Sequence, residues 1–124
     1  MSEHAAVLTA LEGLERIRNR INALPRDNVQ GWKQQYIAMR RELQTGFAAF
    51  SKAVDTWLAS GGDGIDARRL RELAGAYRSR LAEHQARFPV VAIDPGDGDY
   101  WASMQSVDVA RRDLAAFVRA FTRR

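Results

Sequence analysis

Two histidines, His4 and His84, are the side chains best suited to move protons or hold a metal near neutral pH, and they fall in different helical segments. Neither stands in the Glu-x-x-His spacing by which carboxylate-bridged metal bundles aim two ligands inward, so no metal site is predicted. His84 shares its helical phase with Leu70, Leu73, Tyr77 and Leu81, which predicts a core or boundary imidazole with one hydrogen-bond partner. Phosphate transfer through a histidine needs an exposed imidazole beside a cation. Arg87 is one turn on, but an inward-facing His84 followed by bulky Phe88 leaves little room for a partner's active site.

Asp94, Asp97 and Asp99 form an acidic group in a glycine-bearing segment, the kind of sequence from which calcium loops draw oxygen ligands at alternate positions. Tyr100 and Trp101 break the alternation, and helix capping by Asp97 and Asp99 accounts for the same residues. Gly61, Gly62 and Gly64 are not followed by Gly-Lys-Ser/Thr and so do not make a phosphate loop. The chain has no cysteine, which removes disulfides, thiolate metal sites and a thiol nucleophile. No nucleophile and base can be paired by spacing. The chemistry-bearing residues therefore predict no enzyme and no cofactor.

Arginine is the commonest charge. The chain carries +4, and all its basic residues but Lys33 and Lys52 are arginine, so nucleic acid is weighed as a partner. The most basic segment holds Arg68, Arg69, Arg71, Arg78, Arg80 and Arg87. On a helical wheel Arg69, Arg80 and Arg87 border one side of the apolar stripe and Arg71 and Arg78 the other, so they do not form one basic face. Stems laid over the core and pairing with Glu72 and Glu83 one turn away account for this layout. Arg123 and Arg124 suit a helix C-terminus.

Four helices must position these residues. The first is predicted from about Ser2, as cap, to Leu24, with Val7, Leu8, Leu11, Leu14, Ile17, Ile21 and Leu24 inward and Pro25 as its stop. Asp27 and Gln30 have the spacing of a capping box for the second helix, which is predicted from Asn28 to Ser60 and ends at the glycines that follow. Its stripe is Val29, Trp32, Tyr36, Met39, Leu43, Phe47, Phe50, Val54 and Trp57, a helix about 45 Å long whose weak point is Gly46. The third is predicted from Asp66, as cap, to Phe88, with Ile65 and Leu70 as a hydrophobic staple and Pro89 as its stop. After the long connection Pro89 to Gly98, the fourth runs from Asp99 to Thr122, with Tyr100, Val107, Ala110, Leu114, Phe117, Val118 and Phe121 inward.

These elements predict an all-α fold, an antiparallel up-down-up-down four-helix bundle with a long second helix, in a single domain over residues 1–124. Hydrophobic residues at 46% and charged residues at 27% are globular composition. No apolar run reaches a membrane span, and the N-terminus lacks the pattern of a secretory leader, which makes a cytoplasmic protein the default. Two features point to partners. Trp101 lies off the core stripe with Met104 at its margin, either exposed to a partner or covered by the preceding loop. The second helix outreaches the others, which predicts, unless they stagger along it, an open stripe that a homodimer would close, with Trp32 and Trp57 as anchors. The functional expectation is a non-enzymatic protein-interaction module, an adaptor, chaperone or regulatory subunit that binds through Trp32, Trp57, Trp101 and Met104. The alternative is a nucleic-acid binder using its arginine surfaces.

Overall fold

A computed structural model describes residues 3–61 and 66–122, the last two of these by backbone only. The fold is all-α. Among the described residues there are four α-helices and no strand: α1 (Glu3–Asp27), α2 (Trp32–Ala59), α3 (Ala67–Arg87) and α4 (Gly98–Thr122), with a single 3-10 turn at Val90–Ala92. The helices pack as two pairs, α1 with α2 and α3 with α4, in compact units Met1–Gly61 and Gly62–Arg124. The Ser2 cap, the Ile65 half of the staple, Gly62, Gly64, Arg123 and Arg124 lie outside the described residues, and so does the side chain of Phe121, predicted inward.

In the first unit the buried face of α1 is Val7, Leu11, Leu14, Arg18, Ile21 and Pro25, a strict alternation of four- and three-residue steps. Leu8, Ile17 and Leu24 fall to its half-buried flanks. The buried face of α2 is Trp32, Tyr36, Met39, Leu43, Phe50, Val54 and Trp57, with Phe47 half-buried. His4 lies against Trp57 with ring centroids 4.8 Å apart, Gly46 faces Leu14 and Ile17, and Arg20 pairs with Glu42 at 3.9 Å. Partners fall in α2 as positions rise in α1, so the two helices run antiparallel.

The connection between them departs from the prediction. Pro25 does not stop α1; it sits inside the last turn with its ring buried. A proline there forfeits one backbone hydrogen bond, and burial of the ring on the core face offsets that loss. The stop is Asn28, which takes φ 48° and donates its N–H to the Leu24 carbonyl at 3.1 Å. Asparagine tolerates the left-handed conformation that ends a helix. Asp27 therefore belongs to α1 and caps nothing in α2, whose N-cap is Gly31 at φ 82° with no side-chain cap bond. Asn28 supplies a different lock, its Oδ1 accepting from Trp32 Nε1 at 3.0 Å. Val29 leaves the stripe and is 61% exposed.

Helix lengths correct the premise of the open stripe. α2 has 28 residues against 25 in α1, so it does not outreach its partner as predicted. The difference arises at the connection: α1 runs past Pro25 to Asp27, and α2 starts at Trp32 instead of Asn28, so the second helix is shorter than its stripe suggests. At the far end Gly61, φ 98°, terminates α2 as the glycine pattern predicts.

In the second unit Asp66 caps α3, its side chain accepting from Arg69 N–H at 3.0 Å. Leu70, Leu73, Tyr77, Leu81 and His84 form the buried face, and α3 ends at Arg87 ahead of Pro89. The 3-10 turn buries Val90 and Ile93 on either side of exposed Val91 and Ala92. On α4 the buried residues are Tyr100, Met104, Val107, Ala110, Leu114, Ala115 and Val118. Arg87 pairs with Asp99 at 3.8 Å, His84 meets Ser103, and Arg80 donates to the Ser106 carbonyl at 3.2 Å, so α3 and α4 are also antiparallel.

Candidate functional site

A polar and aromatic assembly lies where α3 ends and α4 begins. His84 is 2% exposed, and its Nδ1 is 2.7 Å from Ser103 Oγ. Its ring lies 5.5 Å from Phe88 and 5.2 Å from Tyr100, which meet each other edge to face at 5.5 Å. Arg87 spreads its guanidinium over Phe88 at 5.1 Å while pairing with Asp99. Helical phase places His84 inward, as the sequence predicts. Its partner was not legible there, because Ser103 is 19 residues away and is brought near only by the antiparallel pairing of the two helices.

A histidine beside a serine hydroxyl is half of a nucleophile and base arrangement. Here Phe88 and Tyr100, both buried, enclose the imidazole, and a substrate would have to displace these rings to reach it. The geometry fastens α3 to α4 through a part-buried hydrogen bond and a ring cluster.

The connection ahead of α4 is fixed by its aspartates. Asp94 Oδ1 accepts from Gly96 N–H at 2.9 Å, and Asp97 Oδ1 accepts from Asp99 N–H at 2.9 Å. Asp97 is thus a cap, as predicted, while Asp99 stands inside the first turn and serves Arg87. Among the described residues no three histidine or carboxylate side chains gather as a metal ion requires.

The residues predicted to bind a partner are not brought together on a surface. Trp32 is 6% exposed, Trp57 1% and Met104 3%, so each is part of the interior. Met104 falls between Tyr100 and Val107 on the buried face of α4, four residues after one and three before the other, and is no margin residue. Trp101 is half-buried: its indole N–H donates to the Pro95 carbonyl at 2.8 Å and its ring meets Tyr100 at 4.9 Å. The preceding loop reaches Trp101, as one of its two readings has it, and leaves the ring half-buried. Sequence reasoning passed over Arg18, 1% exposed on α1 between Leu14 and Ile21. Its four-and-three spacing is the signal that could have found it, although arginine is rarely buried.

The arginines of α3 are divided. Arg68 and Arg69 reach Glu72 at 3.4 and 3.5 Å, and Arg80 and Arg87 reach α4, while Arg71 and Arg78 lie exposed on the opposite flank. Large apolar side chains also stand in solvent: Val91 at 81%, Val29 at 61%, Val109 at 48% and Ile37 at 40% exposure. Among the described residues no helix is long and apolar enough to cross a membrane. No family model, curated protein or solved structure matches the chain.

Proposed function

We propose that the chain is a non-enzymatic interaction module that binds a protein partner, in the manner of an adaptor, chaperone or regulatory subunit, in a cytoplasmic setting. The observation that carries the reading is Val91. A branched aliphatic at 81% exposure is held outward by buried neighbours, Val90 and Ile93, and by turn hydrogen bonds from Ala92 N–H to the Pro89 carbonyl and from Ile93 N–H to that of Val90. A loop whose backbone is fixed from both sides presents its exposed side chain at little ordering cost, which is what a binding loop requires.

The surface differs from the one the sequence predicts. Trp32, Trp57 and Met104 would have to leave the interior to touch a partner, and so would Trp32 and Trp57 to join two copies along α2. Self-association is for that reason not part of the proposal. Nucleic-acid binding draws on the same arginines that α3 engages internally, which leaves it a smaller surface than the net charge suggests.

Affinity capture from the native host, by wild type and by Val91→Asp, tests the reading. A protein captured by wild type, lost by the variant and insensitive to nuclease supports it. Capture abolished by nuclease supports the nucleic-acid alternative and refutes it.

A further inference from the structure

We infer that the flank of α3 bearing Arg71, Gly75 and Arg78 is a docking surface for an acidic helical segment of a protein partner. α3 carries six arginines against two glutamates. Four of the six are engaged within their own unit, Arg68 and Arg69 by Glu72, Arg87 by Asp99 and Arg80 by a carbonyl of α4. Arg71 and Arg78 are exposed, and among the described residues neither has an ion pair or a hydrogen bond from its side chain. They stand two turns apart, about 10 Å along the axis, on one side of the helix.

Gly75 lies between them, one turn from each. It is exposed, and a Cβ built there has nothing within 4 Å. Glycine inside an exposed helix costs about 1 kcal/mol against alanine, and among the described residues no contact calls for its lack of a side chain. An approaching helix would use that space, with its carboxylates meeting the two guanidinia. Charge decides the chemistry of the occupant: two cations left without counter-charges, on a helix with excess positive charge, take a segment rich in glutamate or aspartate. Two isolated guanidinia two turns apart provide too few phosphate contacts for a nucleic-acid backbone, whose binding is built from many.

The inference rests on the interaction-module reading and is tested apart from it. The probe is a fluorescein-labelled alanine-based peptide of about 18 residues, long enough to be helical, with glutamates seven positions apart. A glutamine version and a single-stranded oligodeoxynucleotide serve as competitors. Binding by fluorescence anisotropy should weaken about threefold for each of Arg71→Gln and Arg78→Gln, as for exposed ion pairs, and stay unchanged in Arg16→Gln and Arg112→Gln, exposed arginines on α1 and α4. Gly75→Gln should raise the melting temperature and still weaken binding, a combination that loss of folding does not produce. The inference is overturned by absent peptide binding, by equal binding of the glutamine peptide, by equal losses in the control arginines, or by tighter binding of the oligonucleotide. If the peptide fails while Val91-dependent capture of a protein succeeds, the α3 surface alone is refuted.

Discussion

Replacing Gly46 with alanine sets two effects against each other in the seam between α1 and α2. In a helix interior alanine is favoured over glycine by about 1 kcal/mol. A Cβ at position 46 would lie 3.0 Å from Leu14 Cδ2 and 3.5 Å from Ile17 Cδ1. The close neighbours are thus side chains of α1, and the tighter of them, Leu14, is fully buried and has no solvent to move into. Adding a methyl group to a packed core costs about 1–3 kcal/mol. Taking the middle of that range against the helix gain leaves a net loss of about 1 kcal/mol. Urea unfolding followed by circular dichroism measures it, and a double-mutant cycle assigns its cause. Leu14→Ala alone should cost about 2–5 kcal/mol as a buried truncation. In that background Gly46→Ala should change sign and stabilise by about 1 kcal/mol, because the obstructing methyl is gone. Stabilisation by Gly46→Ala in the wild-type chain, or the same effect in both backgrounds, would show that α1 and α2 do not meet closely at this point.

Leu43, 1% exposed at the centre of α2, should cost about 2–5 kcal/mol when cut to alanine, read from the shift of the denaturation midpoint. Trp101→Phe removes the indole N–H that holds the Pro95 carbonyl and should destabilise by about 1 kcal/mol; a neutral result in thermal melting would mean that the loop is held by other bonds. His84→Ala and Ser103→Ala should be non-additive by about 1 kcal/mol, since each leaves the other's hydrogen bond unmade, and strict additivity would deny the bond.

Most of the architecture was legible because it rests on local rules. The four-and-three spacing of α2 and α3 selects the residues that are buried, Asp66 and Asp97 cap where their positions say they should, and Gly61 ends α2. The misreadings occur where a tertiary term outweighs a local one. Pro25 is a stop signal by its missing donor, yet its ring completes the buried row of α1 and the helix runs on to Asp27. With α1 longer and α2 shorter than predicted, the two helices nearly match in length, and Trp32 and Trp57 are buried between them and their neighbours rather than left on an open stripe. Arg18 obeys the spacing and violates the composition rule, and spacing prevails. The His84 and Ser103 contact was out of reach of a single sequence, since no periodicity within one helix states which residue of another it will meet. Trp101 was ambiguous because an indole off the core stripe suits a covering loop as well as a partner, and its hydrogen bond to the Pro95 carbonyl is a contact no periodicity states.

The central claim, that exposed Val91 marks a partner-binding loop, is tested most directly by site-specific photo-crosslinking in the native host. A benzophenone amino acid at position 91 should capture a discrete protein adduct, while the same group at exposed Gln44 on α2 or exposed Gln105 on α4 should not give that adduct. The interaction-module account predicts an adduct specific to position 91 that survives nuclease treatment. An absent adduct at 91, or equal yields at all three positions, would contradict it.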